Sequence, residues 1–129
     1  MRLLLDTQVW LWLQACPERL GPALPAVADP GNELLFSAVS SWEIAIKYAL
    51  GKLPLPRPPT SYIPDRIASS GVVPLAVQHS HALAVAALPL HHRDPFDRLL
   101  VAQAISEGAS IVTSDEVFGA YDVDPVWAG

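Results

Sequence analysis

The sequence is poor in cysteine and in charge. A single thiol, Cys16, excludes an internal disulfide and cannot alone build a structural zinc site, which points to a reducing compartment, the cytoplasm. Only 16% of the 129 residues are charged, and 8 Lys plus Arg face 13 Asp plus Glu, a net charge of −5. That shortage of positive charge disfavours binding of nucleic acid or anionic lipid by bulk electrostatics. No apolar run reaches the roughly 18 residues needed to cross a bilayer. The start Met1-Arg2-Leu3-Leu4-Leu5 opens like a signal peptide, but Asp6 and Gln8 interrupt it and no small-residue cleavage pattern follows. The phosphate-cradling patterns G-x-G-x-x-G and G-x-x-x-x-G-K-[ST] are absent, as is the nucleophile elbow G-x-S-x-G. An aspartyl-nucleophile phosphatase would want a second acid two residues after Asp6, where Gln8 stands.

Apolar residues, by contrast, make up 51% of the chain and are evenly spread. At one ordinary domain's length such a chain buries roughly two thirds of its unfolded surface, so residues 1–129 are expected to form a single domain. The 13 prolines act as punctuation, with Pro54, Pro56, Pro58 and Pro59 forming a stiff connector. Short, unalternating apolar runs at Leu3–Leu5, Leu34–Phe36, Val72–Leu75 and Ile111–Thr113 predict buried strands. A further strand is expected near Tyr121–Val123. Helical spacing predicts helices from Ser40 to Leu50 and from Pro95 to Glu107, stopped by Gly51 and Gly108. Weaker patterns place helices at Thr7–Leu13, Pro22–Ala28, Pro59–Ser70 and Ser80–Leu88, with Gly71 and Gly119 as helix exits. Strands alternating with helices imply right-handed crossovers and an α/β fold around a mostly parallel sheet.

Open parallel sheets bind ligands beyond the carboxyl ends of their strands. Asp6 ends the first strand, Ser40 and Glu43 follow the second, Asp97 lies in the first turn of the Pro95 helix, and Asp115 follows the strand at Ile111–Thr113. Each has a structural reading: Ser40-x-x-Glu43 matches a capping box, and Asp6, Asp94 and Asp115 can each cap a helix. Capping does not require the ends to share one rim. Hard oxygen ligands without histidine or thiolate partners suit Mg²⁺ or Mn²⁺ rather than zinc.

These residues carry a resemblance. Leu3-Leu4-Leu5-Asp6-Thr7, the block Ser37-Ala38-Val39-Ser40-Ser41-Trp42-Glu43-Ile44-Ala45-Ile46-Lys47 with Leu50-Gly51-Lys52-Leu53, the block His92-Arg93-Asp94-Pro95-Phe96-Asp97-Arg98 and Ile111-Val112-Thr113-Ser114-Asp115 resemble the PIN-domain ribonucleases, specifically the VapC-like toxins of toxin–antitoxin pairs. The resemblance covers essentially the whole chain. It implies a three-layer α/β/α PIN domain with a sheet of four to five strands in the order 3-2-1-4-5. It also implies Mg²⁺- or Mn²⁺-dependent cleavage of RNA, inhibition by a cognate antitoxin, and a homodimer. Asp6, Glu43, Asp97 and Asp115 match the family's acidic quartet, with Thr7, Asp94 and Thr113 in supporting positions.

Among basic groups, Lys47, Arg93 and Arg98 are candidates for substrate phosphate. Lys47 is equally an i,i+4 helix partner of Glu43; for Arg93 and Arg98 helix-end solvation is the alternative to RNA contact, and for His91 and His92 it is the preferred reading. Trp10, Trp12 and Trp42 fit base stacking or, more ordinarily, core and interface packing. Two further readings of the whole chain are a non-catalytic interaction module and a structure-specific DNA nuclease. With the quartet set aside, nine acids face eight bases, so the acidity is concentrated in one site.

Overall fold

The computed structural model describes all of residues 1–129. Its sheet contains β1 (Arg2–Leu5), β2 (Glu33–Ser37), β3 (Val73–Leu75), β4 (Ser110–Thr113) and β5 (Pro125–Trp127). All pairs are parallel and the order is β3-β2-β1-β4-β5, the expected 3-2-1-4-5. β1 lies at the centre because its run Leu3-Leu4-Leu5 is fully buried and can be covered on both faces.

Successive side chains of β1 feed two separate cores. Leu3 and Leu5 pack with Phe36 and Val112 of neighbouring strands, with Val9 and Trp10 of α1 (Thr7–Ala15), with Val27 of α2 (Leu24–Ala28) and with Tyr62 and Ile63 of α4 (Pro59–Ser70). Leu4 turns to the other face, where Leu35 and Ile111 meet Leu100, Val101 and Ala104 of α6 (Pro95–Glu107) and Phe118. The period of two along the strand thus produces the α/β/α layering. Trp10 stacks on Phe36 with ring centroids 4.2 Å apart, which assigns it to the core and not to a substrate. α3 (Ala38–Ala49) straddles the layers, with Val39 in one core and Ile44 in the other.

Several boundaries differ from those the sequence suggests. The last strand is β5 at Pro125–Trp127 and not Tyr121–Val123: the Tyr121 side chain is buried in the α6-side core, and the chain reaches the sheet edge only after Asp124. Pro125 opens this edge strand, a position that needs no ladder donor from proline. α3 begins at Ala38, because Ser37 caps it by accepting the Val39 N–H at 3.0 Å. Ser40 is therefore inside the helix and forms no capping box with Glu43. The stretch predicted as a Pro22–Ala28 helix is a 3₁₀ segment, Pro17–Ala23, running into the short α2. Similarly, α5 (His79–Ala84) gives way to a 3₁₀ turn at Val85–Ala87. Gly71 ends α4 at φ 73°, in the left-handed region that favours glycine. Gly119 is no exit: it lies within the 3₁₀ segment Glu116–Ala120, where a Cβ would come 3.3 Å from the Trp127 ring.

Candidate active site

Parallel strands place their carboxyl ends on one rim, and a cavity of about 240 Å³ opens there. Its lining includes Asp6, Glu43, Asp94, Asp97 and Asp115, with Thr7 and Lys47. The four expected acids therefore come together from four different elements. Arg93 and Arg98 are not among the lining residues.

Asp6 follows β1 as the N-cap of α1. Its Oδ1 accepts the Thr7 N–H at 2.8 Å, and its Oδ2 accepts the Thr113 hydroxyl at 2.9 Å. Thr113 Oγ1 in turn accepts the Asp115 N–H at 3.0 Å, so one hydroxyl organises two acids. Asp115 caps the 3₁₀ segment after β4 through a 3.1 Å bond from the Val117 N–H to Oδ1. Asp94 caps α6, with Oδ1 accepting from the Phe96 and Asp97 amides at 2.8 and 3.3 Å. Helix capping and convergence on the rim are thus simultaneous properties of the same carboxylates.

Glu43 and Asp97 cap nothing. Glu43 is buried on α3, where the Thr7 hydroxyl lies 2.8 Å from both its Oε1 and the Ser40 hydroxyl. Its Oε2 accepts from Lys47, one turn further along. Lys47 is thereby occupied by a protein carboxylate, and that bond holds its ammonium pKa above the ordinary value. Asp97 Oδ2 lies 2.8 Å from His92 Nε2, which is also 3.6 Å from Asp115 Oδ2.

Crowding of acids has an electrostatic consequence. Burial pushes the Asp97 carboxyl up to about 8, reinforced by Asp6, Asp94, Glu43 and Asp115. Burial likewise raises Asp6 to about 6; Glu43 and Asp115 add to the rise, while the bonds from Thr113 and Thr7 oppose it. Carboxylates that repel one another in a partly desolvated cleft are stabilised in their charged form by a cation. The acids offer hard carboxylate oxygens, and one atom each of Asp94, Asp97 and the His92 imidazole lies within 4.8 Å of the others. The donor set fits a divalent cation of the Mg²⁺ or Mn²⁺ kind.

A family model described as PIN domain matches residues 3–124. The chain belongs to the PIN domain family. Over 115 residues it is 32% identical to Ribonuclease VapC22 of Mycobacterium tuberculosis, covering 87% of this chain and 85% of that protein. A 55-residue stretch is 56% identical to Ribonuclease VapC16 of the same organism; it spans 43% of this chain and only 39% of that relative's length. The fold is similar to that of VapBC2 from Rickettsia felis bound to a DNA fragment from its promoter, with a TM-score of 0.75, 17% identity and 100% of both chains covered. DNA-bound VapBC from Salmonella typhimurium is also similar, with a TM-score of 0.71, 15% identity and 98% of both chains covered. No helix of this PIN domain is long and apolar enough to cross a membrane.

Two residues of the PIN domain have surroundings that the sequence did not suggest. Arg98, a candidate for phosphate, turns its guanidinium onto backbone carbonyls: Pro89 at 3.0 Å, Val85 at 3.2 Å, and Leu88 and His92 at 3.4 Å. It clamps the segment before α6 instead of facing the cavity. Arg93 is exposed. His92, expected to be a solvated helix-end residue, faces two of the acids. The only sequence signal for it was its place beside the Asp94-Pro95-Phe96-Asp97 block.

Proposed function

We propose that this PIN domain is a Mg²⁺- or Mn²⁺-dependent endoribonuclease, the toxin of a toxin–antitoxin pair, which hydrolyses phosphodiester bonds of RNA. The observation that carries the reading is the convergence of Asp6, Glu43, Asp97 and Asp115 from four elements onto one cavity. Names of the relatives support the same direction, since two are ribonucleases and the structural neighbours are VapBC complexes. We place the protein in the cytoplasm as a homodimer and as a single PIN domain over residues 1–129, and we assign it an antitoxin protein as partner.

Asp6, Asp97 and Asp115 hold the cation, Glu43 contributes an oxygen to it or to the attacking water, and Asp94 stands by with the oxygen not used in capping. Thr7 and Thr113 fix the rotamers of Glu43 and Asp6 through their hydroxyls. A bound cation supplies Lewis-acid polarisation of the phosphodiester and offsets the local negative charge. It therefore lets an acidic chain accept a polyanion. Lys47 and Arg93 remain the chain's basic groups for the RNA backbone, with Lys47 sharing its ammonium between Glu43 and phosphate.

The test is cleavage of single-stranded RNA with Mn²⁺ or Mg²⁺, compared with EDTA and with Asp6→Asn. Asparagine keeps the N-cap acceptor, so this variant reports on chemistry and not on folding. Metal-dependent cleavage that Asp6→Asn abolishes supports the reading. Intact cleavage in Asp6→Asn overturns the site assignment, no cleavage by the parent chain favours a non-catalytic interaction module, and preference for single-stranded DNA favours a DNA nuclease.

A further inference from the structure

A second trough, of about 230 Å³, adjoins the acid cavity, and the two share the walls Gln8, Leu11 and Leu53. No other cavity shares a wall with the acids. The trough lies between α1 and the proline connector, with Trp12, Leu55, Tyr62 and Arg19 among its remaining walls. None of its walls is Asp or Glu, whereas the cavity beside it has five acids. Charge therefore changes sign within one continuous depression.

Arg19, on the 3₁₀ segment after α1, supplies the positive end. Of the eight basic side chains, five are held by polar partners: Arg2, Lys47 and Arg57 by carboxylates, Arg66 by Gln14 and Arg98 by backbone carbonyls. Arg19, Lys52 and Arg93 have none, and of these three only Arg19 lines a cavity. Its guanidinium lies over the Trp12 ring, with Cζ 4.7 Å from the centroid, a contact that fixes its place without using its N–H donors. Arg57 is the contrast: it lies over the Tyr62 ring at 5.9 Å, but its donors are taken by Asp65 at 2.7 Å.

A planar guanidinium held in place with free donors suits a phosphate. An apolar helix laid in the trough would bury those donors unpaired, which costs free energy. A single strand of RNA offers a phosphate to the donors and a base to the apolar wall. Resting on the nuclease reading above, we propose that the trough is a subsite for a nucleotide that flanks the scissile phosphodiester: Arg19 binds its phosphate, and Leu55 and Tyr62 receive its base. Since the trough meets the acid cavity on the α1 side alone, the strand is gripped on one side of the cut.

Two measurements test this. In the first, binding of a short fluorescein-labelled single-stranded RNA of mixed sequence is followed by anisotropy in Mg²⁺ over a salt series. The proteins are Asp6→Asn, which does not cleave on the nuclease reading, and the same chain with Arg19→Ala or Arg2→Ala added. Arg2 opens β1 at the end of the sheet opposite the acids, so its loss changes the net charge equally but touches no part of the trough. Arg19→Ala is expected to bind about tenfold more weakly, with the slope of log K against log salt shallower by about 0.7; Arg2→Ala is expected to change neither. In the second, cleavage of the same RNA in Mn²⁺ by chains that retain Asp6 should show KM raised in Arg19→Ala with kcat and Mn²⁺ affinity unchanged. Unchanged RNA affinity and KM in Arg19→Ala, the result that a groove for a partner protein would give, overturns the proposal. An equal loss in Arg2→Ala marks bulk charge and overturns it too. A parent chain that binds RNA without cleaving it fails the nuclease reading, and the salt slopes still decide whether Arg19 holds a phosphate; a chain that binds no RNA overturns both. If Arg19→Ala does not fold, judged by circular dichroism, Arg19→Gln, which keeps a planar amide for the Trp12 ring, takes its place.

Discussion

The hydroxyl of Thr113 donates to Oδ2 of Asp6 while its oxygen accepts the N–H of Asp115, joining two acids that are 109 positions apart in sequence but adjacent on the rim. It is a buried contact between neighbouring parallel strands, and it places a neutral donor where two carboxylates would otherwise repel. Thr113 is thus the hinge pin of the acidic cluster's geometry.

Thr113→Val keeps shape and removes this donor. Leaving the buried Asp6 carboxylate without it is expected to cost about 1–3 kcal/mol and to push the Asp6 pKa further up, since the bond is what lowers it. At neutral pH, Mn²⁺ affinity and RNA cleavage should fall about tenfold or more, with the activity profile displaced to higher pH. Thr113→Ser, which retains the hydroxyl, should restore both. Calorimetry and a pH–rate series measure the two effects.

Asp97 links pH, metal and stability. Its folded pKa of about 8 exceeds the ordinary value of 3.8, so the folded chain binds the proton more tightly than the unfolded one does. The contribution is complete below about pH 4 and is lost as pH rises through about 8, by an amount on the order of 3 kcal/mol in the metal-free protein. Melting curves in EDTA should therefore fall as pH rises from 5 to 9, and Mn²⁺ should raise them most at the alkaline end. Asp97→Asn should melt about 5 °C or more above the parent at pH 8 in EDTA, lose the slope between pH 7 and 9 and gain nothing from Mn²⁺. A parent chain equally stable in EDTA at pH 5 and pH 9 would refute this.

Arg98 and Arg93 separate structure from substrate. Arg98→Lys cannot reproduce a planar fork on four carbonyls, so a loss of about 2 kcal/mol in urea unfolding is expected. Arg93→Ala should leave unfolding unchanged while raising KM for RNA several-fold. The reverse pattern would show that the clamp and the substrate contact have been exchanged.

Local chemistry explains what could be read in advance. Leu3-Leu4-Leu5 has no polar face, which only a central parallel strand can satisfy, and the ordered acids at strand ends followed from that placement. The position of β5 was hidden because Tyr121–Val123 has a strand-like composition while its aromatic ring is drawn into the α6-side core. Ser37 and Ser40 are both plausible caps by type; the choice depends on where β2 stops. Arg98 and His92 could not be placed because their partners are backbone atoms and side chains brought near only by the fold. In each case the missing information lay in how neighbouring segments fold back on one another, and in no case was it a matter of propensity.

The double use of carboxylates as caps and as rim acids has an evolutionary side. Aspartate and asparagine codons differ by a single base, and asparagine caps a helix as well as aspartate does. At Asp6 and Asp115 one base change therefore removes the charge and keeps the helix start. A lineage could disarm such a chain without misfolding it, and the silenced copy would keep the surface of the active one.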